Sequence, residues 1–145
     1  MEQATIDFLA VQAHADRVRL SGELDEALRA LDAEMTELAE VLQVEYVGPG
    51  VGMRDMGAQD VFRLAVRHHV WDVSETGWGL KVCDGLPTGG MRAMWPIYGV
   101  ARLRKQQLVQ ALPQFFSGMA DAVCEAGKNE TPAGRRVLGL AAAFA

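Results

Sequence analysis

The sequence predicts an α+β fold in which a small three-stranded antiparallel meander, at about residues 70–95, packs against N-terminal and C-terminal α-helices. Two observations support this class. On both sides of the middle stretch, apolar residues recur with the helical spacing of three and four positions. Between Trp71 and Tyr98, apolar residues alternate with other types, and this stretch holds all three tryptophans, which is typical of short strands and turns.

Length and composition predict one domain spanning residues 1–145. Its parts in order are a helical part at 1–47, a loop at 48–57, a short helix and the meander at 58–98, and helices at 99–145. No apolar run approaches the roughly 20 residues that a membrane-spanning helix needs. The first residues are acidic where a secretion signal would be basic. We therefore expect a cytoplasmic protein with no membrane partner.

Charge is divided unevenly along the chain. Residues 1–56 carry a net charge of −8, and residues 57–145 carry +3. This asymmetry suits the docking of two halves, or of two copies head to tail. The total of −5 argues against a general nucleic-acid binder, which would show a basic excess.

Two helices are predicted in the first part. The first covers Thr5–Arg19, and Ser21-Gly22 interrupts it. Ser21 is a favoured N-cap residue for the second helix, because its hydroxyl can accept a hydrogen bond from a free backbone N–H. Glu23 and Asp25 follow in the first turn, where the helix dipole favours anions.

The second helix carries the clearest periodic signal in the chain, an a/d heptad seam. Its residues follow one another at spacings of 4, 3, 4, 3 and 4 positions: Leu24, Leu28, Leu31, Met35, Leu38 and Leu42. Such a seam packs either within its own domain or against the same helix of a second copy. Both alternatives stay open at this point, and the second makes these residues a candidate dimer seam.

Two segments connect this helix to the meander. Gly48–Gly52 predicts a loop, and its glycine spacing matches neither common phosphate-binding motif. Gln59–His69 is predicted as a short helix. A strand is the alternative, because Phe62, Leu64 and Val66 also alternate.

The meander is predicted as three strands joined by two turns. In order these are a strand at Val70–Ser74, a turn at Glu75–Gly77, a strand at Trp78–Val82, a turn at Asp84–Gly90 and a strand at Met91–Trp95. On the middle strand, Leu80 and Val82 alternate with Lys81 and Cys83, so one apolar face is expected to be covered by helices.

The C-terminal part predicts further helices. Gly99–Leu112 is the first, and Pro113 either kinks it or begins a second helix. Gly127 is a favourable stop for the stretch that follows. Thr131 then has the chemistry of an N-cap, with Pro132 at the first helical position.

The residue patterns indicate no catalytic, metal or cofactor site. His68 and His69 are adjacent, whereas a helical zinc pair needs histidines four positions apart. Cys83 is next to Asp84, and a carboxylate disfavours a reactive thiolate. Cys124 lies on an apolar helical stripe, as a small hydrophobic residue would. We expect two free thiols, no metal and no cofactor.

One face of the meander is a candidate recognition surface. Arg92 alternates out of the predicted core together with Lys81 and Met94, and a guanidinium can hold a carboxylate or a phosphate. Trp78 and Trp95 are core residues by alternation, or else line a pocket or a partner surface. These five residues form the predicted binding site for a protein partner or a small anionic ligand. The alternative is an ordinary solvated sheet face.

Together these features predict a non-enzymatic protein-interaction module, acting as a regulator, an adaptor or an assembly factor in the form of a homodimer. One alternative is a small-molecule sensor with a pocket lined by tryptophan and methionine. The other alternative is an enzyme that uses His68 or His69 together with Asp72 or Glu75.

Overall fold

The computed structural model describes residues 1–52, 62–72, 75–84 and 94–145, with the backbone alone described at 69–72, 75–76 and 94. In chain order the described elements are α1 (Gln3–His14), α2 (Gly22–Leu42), β1 (Tyr46–Val47), β2 (Phe62–Asp72), β3 (Glu75–Asp84), β4 (Met94–Trp95), a 3-10 helix (Ile97–Gly99), α3 (Arg102–Gln110), α4 (Leu112–Glu125) and α5 (Pro132–Phe144). Helices precede and follow an antiparallel sheet along the chain, which confirms the predicted α+β class. No helix in these ranges is long and apolar enough to cross a membrane.

The second N-terminal helix begins as predicted, whereas α1 begins at Gln3, two residues before the predicted Thr5, and both helices end earlier than predicted. The Ser21 hydroxyl accepts a hydrogen bond from the Leu24 N–H at 3.1 Å, which confirms Ser21 as the N-cap of α2. α2 ends at Leu42, because Gln43 adopts the left-handed conformation with φ of 52°. The chain then enters β1, so the predicted helical part up to residue 47 is too long.

α1 ends at His14 and does not reach Arg19 as predicted. The segment after it is held from a distant part of the chain. The Gln110 side-chain amide of α3 donates to the carbonyl oxygens of Ala15 (3.2 Å) and Asp16 (3.3 Å). These bonds satisfy backbone groups that a continuing helix would have satisfied internally.

The heptad seam of α2 packs within its own chain. Leu24, Leu28, Leu31 and Met35 have no exposed surface, and Leu42 is 2% exposed. Leu38 is half-buried against the same core. α2 contacts α1, α5, β3 and the 3-10 helix, so elements of the same chain cover this stripe. The seam is therefore packed within its own chain.

The sheet has the order β1-β2-β3-β4, with antiparallel neighbours throughout. β2 and β3 form a long hairpin, paired from Phe62 with Asp84 to Asp72 with Glu75. β1 and β4 are short, and each pairs through two residues, with β2 and β3 respectively.

Two predictions about where the strands lie are wrong. Residues 62–69, predicted as the end of a short helix, lie in β2. The alternative reading of Phe62, Leu64 and Val66 as a strand is correct, because all three side chains are buried on one face of the hairpin. Glu75–Gly77, predicted as a turn, is the start of β3, which therefore begins before Trp78.

Both faces of the hairpin are buried near its middle. Residues directly opposite in an antiparallel pair share a face, so Leu64, Val66, Leu80 and Val82 lie together and join the helical core. On the other face Ala65 and Cys83 also have no exposed surface. The expectation of one apolar and one solvated face is therefore wrong for this part of the sheet.

The C-terminal helices confirm several predicted signals. The helical structure is interrupted at Ala111, between α3 and α4. Pro113 lies in the first turn of α4, so the alternative in which a new helix begins there is correct. Gly127 has a φ of 71° just after α4. The Thr131 hydroxyl accepts from the Gly134 N–H at 3.0 Å, and Pro132 is the first residue of α5.

α5 docks on α4 and on the N-terminal helices. The Phe116 and Phe144 rings stack at 5.0 Å between centroids. His14 of α1 donates from Nε2 to the Phe144 carbonyl oxygen at 2.7 Å. Arg136 forms a two-point pair with Glu34 of α2, at 2.7 and 3.3 Å. Charged pairs of this fork-like geometry are among the stronger hydrogen bonds in proteins.

Several predictions fall on residues outside the described ranges. These are the end of the loop at 53–57, the first part of the predicted short helix at 59–61, the turn at 85–90, and the start of the third predicted strand at 91–93.

Leu31→Ala should lower the free energy of unfolding by about 3 kcal/mol, because it removes a fully buried side chain and leaves a cavity. Urea unfolding followed by circular dichroism measures this loss. Val41→Ala is the matched control on the same helix. Val41 is 72% exposed, so its loss should stay within about 0.5 kcal/mol. Equal losses in the two variants would contradict the burial of the seam within the chain.

Candidate interaction surfaces

The five residues of the predicted recognition surface do not form one surface. Trp95 pairs with Val82 on the core-facing side of the sheet, whereas Lys81 lies on the opposite face. Trp78 is half-exposed and faces the exposed His68, with ring centroids 5.7 Å apart. The backbone of Met94 pairs with Cys83, and Arg92 lies outside the described residues.

Lys81 lies next to α2 rather than on an open sheet face. A Cβ added to its neighbour Gly79 would lie 3.5 Å from the Thr36 hydroxyl oxygen, so β3 approaches α2 closely here. Burial raises the pKa of Asp32, one turn before Thr36, and the positive charge of Lys81 opposes that rise. The Asp32 Oδ1 atom is buried and has no hydrogen-bond partner within the described part of the chain.

His68 and His69 lie on β2, a strand, and not on the predicted short helix. The side chains of His69, Asp72 and Glu75 lie outside the description. Among the side chains that are described, no group of three or more His, Cys, Asp or Glu residues could hold a metal ion.

The two cysteines are free thiols in different surroundings. Cys83 is fully buried, and this burial raises its pKa to about 11, with Asp84 adding to the rise and Arg67 opposing it. Cys124 is exposed on α4, so its predicted position on the apolar stripe is wrong. The buried stripe of that helix runs through Phe115, Met119 and Val123 and passes beside Cys124.

A narrow apolar crevice lies between the sheet and the C-terminal helices. It is too tight to admit a water molecule, and its walls include Leu64, Leu108 and Phe115. Neither a tryptophan nor a methionine is among the described residues that line it. The crevice therefore differs from the pocket expected for the sensor alternative.

A larger groove of about 370 Å³ lies on the surface between α1 and α2. Ala4 and Phe8 of α1 and Ala27 of α2 supply apolar surface, and Glu23 and Glu26 supply two exposed carboxylates. A groove lined by both apolar side chains and carboxylates favours a partner that carries both apolar and basic side chains.

One more side chain extends the apolar surface of α1. Val11 is 68% exposed and follows Phe8 by three positions, with Ala4 four positions before Phe8. Residues at this spacing lie on one face of a helix. This stripe is not among the predicted site residues. Its signal in the sequence is the spacing of Ala4, Phe8 and Val11, but only the packing of α1 against α2 brings the stripe beside the two glutamates.

α3 carries the complementary chemistry. Leu103 is 60% exposed and follows the exposed Arg102 at the start of the helix. The next residue, Arg104, stacks its guanidinium on the Phe62 ring at 3.6 Å. Lys105 forms an ion pair of 2.7 Å with Asp25, which ties the first turn of α3 to the first turn of α2.

Comparison of the chain with protein-family models, with curated proteins and with solved structures finds no match.

The cysteines should differ in reactivity toward a thiol reagent such as a disulfide dye. At pH 8 a thiol with a pKa of about 11 is ionised in only about one molecule in a thousand. One thiol per folded chain should therefore react rapidly, and both should react in denaturant. The Cys124→Ser variant should show no rapid reaction while folded. A fast reaction of folded Cys124→Ser would contradict the burial of Cys83.

Proposed function

We propose that the protein is a non-enzymatic protein-interaction module that forms a homodimer through the groove between α1 and α2. The observation that carries this proposal is the combination of apolar side chains and two carboxylates in the lining of that groove. Glu23 and Glu26 are exposed there, and no described ion pair involves them.

The groove selects a partner with an apolar side chain flanked by cations. Apolar surface supplies the free energy of burial, and opposite charges at the rim supply orientation and a faster association. The exposed apolar patch on α1, centred on Phe8 and Val11, enlarges the surface that a partner would cover. Isolated exposed apolar residues are ordinary in proteins, so the argument depends on the groove and the patch together.

A second copy of this chain carries that chemistry. Leu103 is a large exposed apolar residue beside Arg102, at the start of α3. We therefore take the segment Arg102–Leu103 of a second copy as the occupant of the groove. The uneven charge of the chain, −8 over residues 1–56 and +3 over residues 57–145, supports the same pairing.

The two surfaces lie at the same end of the molecule, which permits a closed dimer. Asp25 of α2 is bonded to Lys105 of α3, and Glu23 and Glu26 flank Asp25 in the sequence. A two-fold axis at this end would bring the groove of each copy to α3 of the other. Such reciprocal contacts close a dimer, whereas a single head-to-tail contact would continue into a chain of copies.

Glu26→Lys should weaken the dimer by at least about tenfold in Kd, because it sets a cation against Arg102 of the second copy. Sedimentation velocity over a range of protein concentrations measures this change. Glu40→Lys is the matched control, since Glu40 is an exposed glutamate of the same helix outside the groove. It should leave the Kd within about twofold.

Two further variants test the occupant of the groove. Leu103→Asp should weaken the dimer, and Val41→Asp, at another exposed apolar position, should not. The double variant Glu26→Lys, Arg102→Glu should recover much of the affinity lost by Glu26→Lys, because it restores opposite charges. A wild-type protein that stays monomeric at high concentration overturns the proposal. A dimer that tolerates both Glu26→Lys and Leu103→Asp also overturns it.

A further inference from the structure

Three cations share one face of the β2–β3 hairpin. Arg63 is paired with Cys83, Ala65 with Lys81, and Arg67 with Gly79. Opposite residues of an antiparallel pair share a face, and diagonal neighbours lie roughly 7–8 Å apart. Lys81 is therefore a diagonal neighbour of both arginines. We call Arg63, Arg67 and Lys81 the cationic face.

The arginines of the cationic face have hydrogen-bonding capacity to spare. Arg63 donates from Nη1 to the Gly48 carbonyl oxygen at 3.3 Å, while its Nε is buried with no acceptor in the described ranges. No ion pair between described residues involves Arg63 or Arg67. A buried donor without an acceptor costs free energy, and a bound anion would supply the acceptor.

Few negative charges oppose the cationic face among the described side chains. Asp32 of α2 interacts with Lys81, and burial raises the pKa of this carboxyl group, which disfavours its charged form. Asp84 follows Cys83 at the end of β3. Besides burial, the charge of Arg67 lowers the pKa of the Cys83 thiol, and the charge of Asp84 raises it. That thiol has a pKa of about 11 and is neutral at physiological pH, so it adds no negative charge between the arginines.

We propose that the cationic face binds a phosphate group of a small ligand, held by the guanidinium groups of Arg63 and Arg67. The planar fork of each arginine donates two parallel hydrogen bonds to the oxygens of a phosphate. Lys81 adds a positive charge that Asp32 offsets in part. The Thr36 hydroxyl donates to the Asp32 carbonyl oxygen at 2.9 Å. Thr36 also lies beside Gly79, so α2 packs against the cationic face at this position.

This site is independent of the proposed dimer. The cationic face lies on β2 and β3, whereas the groove is formed by α1 and α2. Loss of the dimer in the Glu26→Lys variant should therefore leave phosphate binding unchanged. A negative result for the dimer would therefore not count against phosphate binding, and a negative result for phosphate binding would not count against the dimer.

The probe is inorganic phosphate, titrated into the protein at constant ionic strength with chloride as the balancing anion. Amide chemical shifts measured by NMR should saturate, with the largest changes in β2 and β3. Arg67→Gln should weaken the binding by at least about tenfold, because it removes a charged donor. Arg67 is the residue of choice because Arg63 also supports the backbone of Gly48, so its loss could affect folding.

Two variants serve as comparisons. Asp32→Asn removes the opposing carboxylate and should strengthen phosphate binding a few-fold. Arg135→Gln is the matched control, because the Arg135 side chain is 69% exposed on α5, where it pairs with Glu130. It should leave the affinity unchanged. Urea unfolding verifies that each variant is folded. Shifts that do not saturate in the wild type, or an Arg67→Gln variant with wild-type affinity, overturn the proposal.

Discussion

Burial of the apolar stripe of α2 is the interaction on which the rest of the structure depends. The helix contacts α1, α5, β3 and the 3-10 helix, so it is shared by both ends of the chain and by the sheet. Leu28 and Leu31 have no exposed surface. Full burial of a leucine stabilises a fold by roughly 1.5–3 kcal/mol relative to an exposed one. Both ends of α2 are also held, by the Ser21 cap and by Lys128, which donates to the Leu42 carbonyl oxygen.

Because α2 lies at the centre of the fold, its acidic residues face different cationic groups. Glu34 faces Arg136 of α5 and the N-terminal amino group. Asp25 faces Lys105 of α3, and Asp32 faces Lys81 of β3. Three acids of this one helix therefore meet four cationic groups from other parts of the chain. Glu23 and Glu26 remain exposed at the groove and form no ion pair in the described part of the chain, so their charge is available to another molecule. This division is the basis of the proposed dimer surface.

The fold was predictable where local chemistry decides the conformation. Ser21 and Thr131 cap helices through their own hydroxyl groups, and the cap depends on residues three positions away. The alternation of Leu80 and Val82 on β3 was visible for a similar local reason. The segment at 62–69 was not decided locally, because Leu64, Ala65 and His68 suit a helix, whereas Phe62, Leu64 and Val66 suit a strand. Pairing with β3 selects the strand, since it satisfies the backbone of both segments at once.

The candidate surfaces were less predictable than the fold. Alternation alone places Arg92, Lys81 and Met94 together on the face away from the predicted core, but alternation carries no information about what covers a face. The close approach of α2 at Gly79 and Thr36 changes the surroundings of Lys81, and Arg63 and Arg67 join its face only once β2 is a strand. The groove depends in the same way on how α1 crosses α2, which neither helix encodes separately.

The sequence by itself determined which residues are apolar and periodic, where most helices begin, and that the fold is of the α+β class. The tertiary structure decided what each buried stripe packs against. The α2 seam could bury itself equally well against its own chain or a second copy, because heptad spacing specifies a face and not a partner. The deciding contacts join distant residues, such as Lys105 with Asp25, 80 positions apart, and Arg136 with Glu34, 102 positions apart. Local periodicity carries no information about such pairs, so only the folded chain selects among them.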